Sequence, residues 1–303
     1  MIYLFEDAYG NVIQEERFTN AIYQHNEHLI ECFVRSKKME GCSDNTITNY
    51  IGYLKIFSNY VGKEYETINV QDIRWFIGKY QSDHTIKNCS MDNLRRVLNS
   101  FYNYLEEDDY VIKSPMKKIH KIKEDKIIKN PFSEEEIVEI QDACKTIRET
   151  AIIDFLYITG VRVSELCSLN RDDIDFSRKE GKVFGKGAKE RIIYFDARAK
   201  IHLLKYLKSR KDDNPALFVS SVAPYSRVTK NGIEYLVRSI GLRAKVENCH
   251  PHRFRRTLAT RMIDRGVPIE QVQIILGHTK IETTLIYAQV NQGNVKMSHS
   301  KFA

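Results

Sequence analysis

The sequence lacks the features that direct a chain into or across a membrane. Its 303 residues contain no run of about 18 apolar residues, so no transmembrane helix is predicted. The opening stretch, Met1 to Asp7, is acidic where a signal peptide would be basic. We therefore expect the chain to stay in the cytoplasm.

The six cysteines lack the spacing of a metal site. None forms a C-x-x-C pair, and no zinc template matches their spacing. Several lie among apolar residues, which favours buried free thiols in a reducing compartment. Metal chemistry at cysteines is not predicted.

Positive charge is scarce in the first third and abundant afterwards. Residues 1–112 carry 11 lysines and arginines against 17 acidic residues, a net charge of −6. Residues 113–303 carry 36 against 23, a net charge of +13. A basic second part suggests a polyanionic partner such as DNA, although the same charge would also serve solubility.

Periodicity divides the first part into a lead and a helical domain. Residues 1–18 show no periodicity and are predicted to be a flexible lead. Residues 19–112 contain four amphipathic patterns with short connections, which predict a small helical bundle. The patterns cover residues 20–39, 47–61, 70–80 and 91–105.

A lysine-rich stretch, residues 113–130, separates this bundle from the rest. Its seven lysines face only Glu124 and Asp125, with Pro115 near the start, as is typical of a domain linker. Such a linker is either merely solvated or crosses phosphates.

The second domain, residues 131–303, is predicted to be mostly helical. Ser133 and Glu136 fit a capping box, and an apolar helix ends before Gly160. Asp172 to Asp175 is interpreted as a turn, and residues 183–195 as a β-hairpin with a basic, glycine-rich tip. Leu217 to Val219 suit a short extended stretch, and residues 288–303 form a polar tail. The fold class is therefore mainly α with a small β-hairpin or sheet (α+β).

Two patterns near the C-terminus bring reactive side chains together. In His250-Pro251-His252-Arg253-Phe254-Arg255, Pro251 suits the first turn of a helix, on which His252 and Arg255 share a face. After Leu276-Gly277-His278, Tyr287 follows nine residues on, far enough for a turn and a returning helix. An imidazole and a guanidinium on one face suit proton transfer beside a bound phosphate.

The order and spacing of these motifs resemble the tyrosine recombinases, the family of phage integrases and Xer-type recombinases. That family has an upstream arginine box, here Thr159-Gly160-Val161-Arg162-Val163-Ser164-Glu165-Leu166, and a basic hairpin box, here Gly185 to Arg191. With His-x-x-Arg and Leu-Gly-His followed by tyrosine, four boxes lie in family order within residues 131–290. The resemblance implies an N-terminal helical core-binding domain followed by a catalytic domain.

The resemblance implies a role for each motif residue. Arg162 and Arg255 would hold the non-bridging oxygens of a phosphodiester, and Tyr287 would attack phosphorus. His252 would accept the phenolic proton, Lys186 would protonate the leaving 5′-oxygen, and His278 would donate a hydrogen bond to the phosphate. Glu165 would orient its neighbours, and Lys189 is the alternative lysine. No metal, ATP or other cofactor is expected.

The implied function is site-specific recombination of DNA through a 3′-phosphotyrosine and a Holliday junction, to integrate or excise a mobile element or resolve DNA dimers. The implied partner is duplex DNA with an inverted-repeat core site, bound by a homotetramer on two duplexes, alone or with a second recombinase or accessory protein. We expect a bacterial, nucleoid-associated protein. The candidate phosphate contacts are Lys55, Lys87, Arg95, Arg96, Lys117, Lys118 and Lys121.

Three other functions remain open from the sequence, and one of them is a resolving or telomere-forming enzyme of the same superfamily. Residues 267–278 would also suit part of a helix-turn-helix in a non-catalytic DNA-binding regulator. A type IB topoisomerase shares this chemistry but only relaxes strands. A regulator would not need both arginines, the lysine, the histidine and the tyrosine, and the helical domain with Gly277-His278 favours a recombinase.

Overall fold

The structure, a computed structural model, describes residues 5–6, 12–13, 20–123, 130–185 and 190–288. The chain divides into two units, Met1–Ile127 and Ile128–Ala303. None of the described helices is long and apolar enough to cross a bilayer.

The first unit contains the four helices predicted from periodicity, and three of them extend beyond the predicted bounds. They are α1 (Asn20–Met39), α2 (Asp44–Val61), α3 (Val70–Asp83) and α4 (Asn88–Glu107). The side chain of Ser43 caps α2 by accepting from the Thr46 amide, and Asn69 and Asp72 form a capping box at α3. Within the predicted lead, β1 (Phe5–Glu6) pairs with β2 (Val12–Ile13) in antiparallel register.

Aromatic rings fill the centre of this bundle. Phe57 lies 4.9 Å from Phe76 and 6.0 Å from Tyr65, measured between ring centroids. The buried phenols are satisfied by main-chain oxygens, since Tyr65 donates to Leu54 and Tyr102 donates to Tyr65. The helices are therefore joined by ring packing and by polar contacts within the core.

The first half of the predicted linker packs on this unit instead of running freely. Pro115–Lys118 form a short 3₁₀ turn, and Met116 in it is 2% exposed. The amide of Ile122 donates to Asp92 at 3.2 Å, and Asn88 donates to the carbonyl of Lys123 at 3.0 Å. Burial of the apolar side chain of Met116 explains this packing. The number of lysines in the stretch gave no sign of it. Residues 124–129 lie outside the described residues.

The second unit is mostly helical with one small sheet. Its helices are α5 (Glu134–Asp142), α6 (Ile147–Thr159), α7 (Val163–Ser168), α8 (Ala197–Ser209), α9 (Lys230–Arg243), α10 (Pro251–Asp264), α11 (Ile269–Leu276) and α12 (Glu282–Ala288). Its strands are β3 (Ile174–Asp175), β4 (Glu180–Phe184) and β5 (Glu190–Tyr194), in the order β3-β4-β5. The predicted capping box of Ser133 and Glu136 opens α5.

The sheet confirms the predicted hairpin and corrects one neighbouring detail. The interpretation of Asp172 to Asp175 as a turn was wrong, because Ile174 pairs with Gly181 as part of a third strand. Ile174 is 7% exposed, and its burial against Gly181 supplies the reason. Leu217 to Val219 contribute only an isolated bridge, between Val219 and Arg227.

Helix α6 forms the centre of the second unit. It is buried on all sides over residues 151–156, where Ile152, Phe155 and Leu156 are 0% exposed. Its one buried acid, Asp154, is bonded to Gln141 at 2.7 Å and to His202 on α8. Gly160 ends the helix in a left-handed conformation at φ 58°, which a side chain rarely adopts.

Two glycine substitutions should have opposite effects on stability. A Cβ at Gly241 in α9 would lie 2.2 Å from Cys249 Cβ, so we expect Gly241→Ala to lower the free energy of unfolding by about 1–3 kcal/mol. Gly78 in α3 has open space, so Gly78→Ala should raise it by about 0.5–1 kcal/mol. Denaturant unfolding followed by circular dichroism and by the single tryptophan, Trp75 in α3, measures both. Unchanged unfolding of Gly241→Ala would contradict the packing.

Candidate active site

The corner between α6 and α7 fixes the first predicted arginine. Arg162 precedes α7, and the carboxylate of Glu165 accepts from its amide at 2.8 Å and from its Nη1 at 2.7 Å. Glu165 is 2% exposed, whereas the side chain of Arg162 is 35% exposed. The guanidinium is thereby oriented from behind and still reaches solvent.

The far end of α7 is held as firmly as its start. Nη1 of Arg227 donates to the carbonyls of Cys167, Ser168 and Leu169 at 2.9–3.0 Å. These carbonyls lie at the C-terminus of the helix, where they have no intrahelical partner. A helix of only six residues therefore presents Arg162 from a fixed backbone.

Helix α10 supplies the second arginine. Pro251 lies in its first turn as predicted, and Nδ1 of His250 accepts from the Arg253 amide at 3.2 Å. Arg255 is 1% exposed and donates to the carbonyls of Gly160, at 2.8 Å, and Leu276. Burial first, followed by the charges of Arg162 and Arg191, lowers the pKa of Arg255 to about 9, so it stays cationic at neutral pH.

One cleft of about 550 Å³ brings three predicted site residues together. Arg162, His252 and Arg255 line it, together with Ser164 and residues of α9. Glu234 and Arg238 of α9 share this lining. With three arginines and two histidines against the single acid Glu234, the lining of this cleft suits an anion with several oxygens.

His278 and Tyr287 lie against each other beside this cleft. Their rings are 6.0 Å apart between centroids and nearly parallel, at 28°. Nδ1 of His278 is hydrogen bonded to Thr284 Oγ1 at 2.8 Å. Tyr287 is 7% exposed and packs with Ala259, Val272 and Leu276. The returning helix predicted from sequence is α12.

His278 is neutral at neutral pH. Burial first, and then the charges of Arg255 and Arg162, lower the pKa of His278 to about 4. If the Thr284 hydroxyl donates to Nδ1, the ring carries its proton on Nε2 and presents a donor there.

The structure therefore assembles most of the predicted set. Arg162, His252 and Arg255 share a cleft, Glu165 supports Arg162, and His278 contacts Tyr287. The other two residues, Lys186 and Lys189, lie outside the described residues. Among the residues that the structure does describe, no group of three or more His, Cys, Asp or Glu is placed to hold a metal ion.

Sequence reasoning missed two contacts. Arg191 ends the basic hairpin box, and no role was predicted for it, although it is bonded to Glu165 at 2.7 Å. The alternation of β5 contained the signal, since Arg191 and the buried Ile193 share a face. Thr284 was also missed, although it lies three residues before Tyr287 on one helix face.

Comparison with protein families assigns both parts of the chain. Residues 130–294 match the phage integrase family, and residues 29–112 match the phage integrase N-terminal SAM-like domain. The chain belongs to the phage integrase family. It is therefore a tyrosine recombinase, an enzyme class that cleaves and rejoins DNA.

Curated relatives support this assignment over nearly the whole length of the chain. The tyrosine recombinase XerC of Staphylococcus aureus (strain bovine RF122 / ET3-1) is 31% identical over 283 residues, covering 89% of this chain and 94% of the relative. XerC of strain MSSA476 is 30% identical over the same shares. These relatives favour neither the non-catalytic regulator nor the topoisomerase.

Solved structures confirm the predicted fold class. The XerA recombinase is 28% identical with a TM-score of 0.53, covering 91% of this chain and 98% of that one. The XerH recombinase bound to palindromic difH is 18% identical with a TM-score of 0.72, covering 95% and 89%. A mainly α fold with a small sheet is thereby established for this tyrosine recombinase.

The candidate phosphate contacts of this recombinase differ in whether they already pair with an acidic side chain. Arg95 and Arg96 both bind the fully buried Asp92, at 2.7 and 2.9 Å, and the side chain of Arg95 is only 14% exposed. Lys117 is paired with Glu106, and Lys55 lies 3.7 Å from Glu27. The remaining three candidates, Lys87, Lys118 and Lys121, are exposed. Contacts by all seven stay predictions.

The buried His278 should make the unfolding free energy of the recombinase depend on pH. Its folded pKa of about 4 lies below the ordinary value of 6.5, so the unfolded chain binds the proton more readily. This contribution to stability is therefore full above about pH 6.5 and is lost as pH falls toward 4. His278→Gln should flatten the slope in that window.

Unfolding by denaturant at a series of pH values measures this slope. His120→Gln is the matched control, because His120 is exposed. An identical slope in wild type and His278→Gln would contradict the burial of a neutral imidazole.

Proposed function

We propose that this protein is a site-specific recombinase that cleaves and rejoins duplex DNA through a 3′-phosphotyrosine and a Holliday junction. The supporting observation is the cleft in which Arg162, His252 and Arg255 converge. A non-catalytic DNA-binding protein would not need two oriented guanidinium groups and an imidazole at one point.

The two arginines hold the scissile phosphate. The bonds to Glu165 and Gly277 use two of the five N–H donors of Arg162, and the bonds to Gly160 and Leu276 use two of the five of Arg255. The other donors suit the non-bridging oxygens, where negative charge develops during attack at phosphorus. Preorganisation by these bonds, one to a carboxylate and three to main-chain carbonyls, means that the arginines need not be reoriented in the transition state.

Attack by Tyr287 transfers the DNA strand to the protein. The phenolic oxygen forms a bond to phosphorus, the bond from phosphorus to the 5′-oxygen breaks, and His252 accepts the phenolic proton. Lys186 protonates the leaving 5′-oxygen, and the neutral His278 donates a hydrogen bond to the phosphate through Nε2. A 5′-hydroxyl of the partner duplex reverses these steps, and because the phosphotyrosine retains the bond energy, no ATP is consumed.

The recombinase acts on two duplexes as a homotetramer, each with an inverted-repeat core site, alone or with a second recombinase or accessory protein. Residues 19–112 form the core-binding domain, 113–130 the linker and 131–303 the catalytic domain with its tail. The reaction integrates or excises a mobile element or resolves DNA dimers, and it takes place on the bacterial nucleoid. Cytoplasmic localisation follows from this substrate.

Trapping of a covalent adduct tests the proposal. Purified protein is mixed with fragmented bacterial DNA in EDTA and denatured, and protein-linked DNA is recovered and sequenced. We expect an adduct with wild type and none with Tyr287→Phe, because the phenylalanine lacks the nucleophilic oxygen. The matched control Tyr23→Phe, which removes an exposed hydroxyl on α1, should keep the adduct. DNA binding without any adduct in wild type would contradict the enzymatic proposal.

The leaving-group role separates the two hairpin lysines. Lys186→Ala should lower the cleavage rate by about 10²–10⁴-fold, the usual contribution of a general acid. A substrate with sulfur at the scissile 5′ position should restore the rate, because a thiolate leaves without a proton. Lys189→Ala is the control. If Lys189→Ala shows the loss and the rescue by sulfur instead, the assignment of Lys186 is wrong.

A further inference from the structure

Three arginines bind three consecutive carbonyls just before His278. The carbonyl of Ile275 accepts from Arg191 at 2.7 Å, that of Leu276 from Arg255, and that of Gly277 from Arg162 at 3.0 Å. These carbonyls end α11, where main-chain oxygens lack helical partners and carry partial negative charge. The arginines come from three different elements, β5, α10 and the start of α7.

Arg191 differs from the other two in its position. Among the described residues, those lining the cleft include Arg162 and Arg255 but not Arg191. Its side chain is 9% exposed, and its Nη2 donates to Glu165 Oε2 at 2.7 Å. It therefore touches two supports of the site, namely the carboxylate that orients Arg162 and the segment that carries His278.

The charges at Glu165 show why a cation is needed there. The carboxylate is 2% exposed and is bonded to both Arg162 and Arg191. Loss of Arg191 would leave only Arg162 to neutralise a buried charge. Arg162 would then be drawn toward Glu165 and away from the cleft.

The space next to Gly277 is also occupied by Arg191. A Cβ at Gly277 would lie 2.5 Å from Arg191 Cδ and 2.8 Å from its Nε. Because both ends of this guanidinium are bonded, the side chain cannot simply swing away. Arg191 thus packs directly against the residue before His278.

We propose that Arg191 is a positioning residue for DNA cleavage, which holds Glu165 and the end of α11 so that Arg162 and His278 keep their places at the scissile phosphate. The inference rests on the proposed function and deepens it. Arg191 itself touches no reacting atom in this scheme.

Single-turnover cleavage of a nicked duplex that traps the adduct tests the role. Arg191→Met keeps the length of the side chain but removes both hydrogen bonds, and displacement of catalytic groups by about 1 Å can cost about 10²-fold. We expect a loss of that size in the cleavage rate, with the dissociation constant for DNA changed by less than about threefold, because Arg191 does not line the cleft. Arg191→Lys keeps the positive charge but lacks the two-pronged guanidinium, so its cleavage rate should lie between those of wild type and Arg191→Met.

Combination with Arg162→Ala distinguishes positioning from general damage. If Arg191 acts partly through Arg162 and Glu165, the double variant should lose clearly less than the product of the two single losses, since coupled residues are not additive. The loss that remains in the Arg162→Ala background reports the hold on His278. Multiplication of the two losses in the double variant, or a wild-type rate in Arg191→Met, would overturn the proposal.

Arg210→Met is the matched structural control. Arg210 is also a buried arginine of the second unit, with its side chain 3% exposed and bonded to Asp212 and to the carbonyls of Asn214, Ala216 and Leu217. It is expected to lower the melting temperature and leave the cleavage rate within about threefold. An equal loss of rate in both variants would reduce Arg191 to a stabilising role and overturn the inference.

Hydrogen exchange provides a readout that does not depend on cleavage. The amide of His278 donates to Gln273 and that of Gly277 to Ile274. Both should exchange faster in Arg191→Met and at the wild-type rate in Arg210→Met. If wild type forms no adduct, the recombinase proposal fails by itself, and unchanged exchange in Arg191→Met would separately overturn the hold on α11.

Discussion

The second unit of this protein depends on an excess of buried positive charge over negative charge. A single buried carboxylate, Glu165, meets Arg162 and Arg191, with Arg255 close by in the same buried region. One anion cannot neutralise three cations, so the remaining guanidinium donors turn to the main-chain oxygens at the end of α11. Those oxygens carry only partial charge. The cleft is left short of negative charge, which suits the phosphodiester that we propose to bind there.

Much of this arrangement was readable from the sequence because it depends on local rules. Helical periodicity located α1 to α4, and the Ser133 and Glu136 capping box marked the start of α5. The left-handed end of α6 was marked by Gly160. Family boxes then identified Arg162, His252, Arg255 and Tyr287, and the structure brings the first three to one cleft.

What could not be read depends on contacts between distant segments. No local pattern shows that Arg191 lies next to Glu165, 26 positions away, or that Arg162 reaches the carbonyl of Gly277, 115 positions away. The third strand was missed because a two-residue strand is too short to show alternation. The packed start of the linker was missed because the lysine count outweighed a single Met116.

Composition was also a poor guide to which basic side chains of the first unit are free of acidic partners. Arg95 and Arg96 look like free cations in the sequence, but both neutralise the buried Asp92, which also receives the amide of Ile122. Both arginines therefore neutralise the carboxylate that binds the chain leaving α4. An acidic unit of this kind can still face DNA, provided that the few exposed lysines are concentrated on one side.

The contact between Arg191 and Gly277 has a meaning for the history of the sequence. The two positions are 86 residues apart, yet a side chain at one would occupy the space of the other. Glycine at 277 is favoured twice, by the left-handed backbone at φ 64° and by the space that Arg191 fills. The constraint therefore runs in one direction: residue 191 can become shorter while Gly277 stays, but a side chain at 277 would also need a shorter residue at 191.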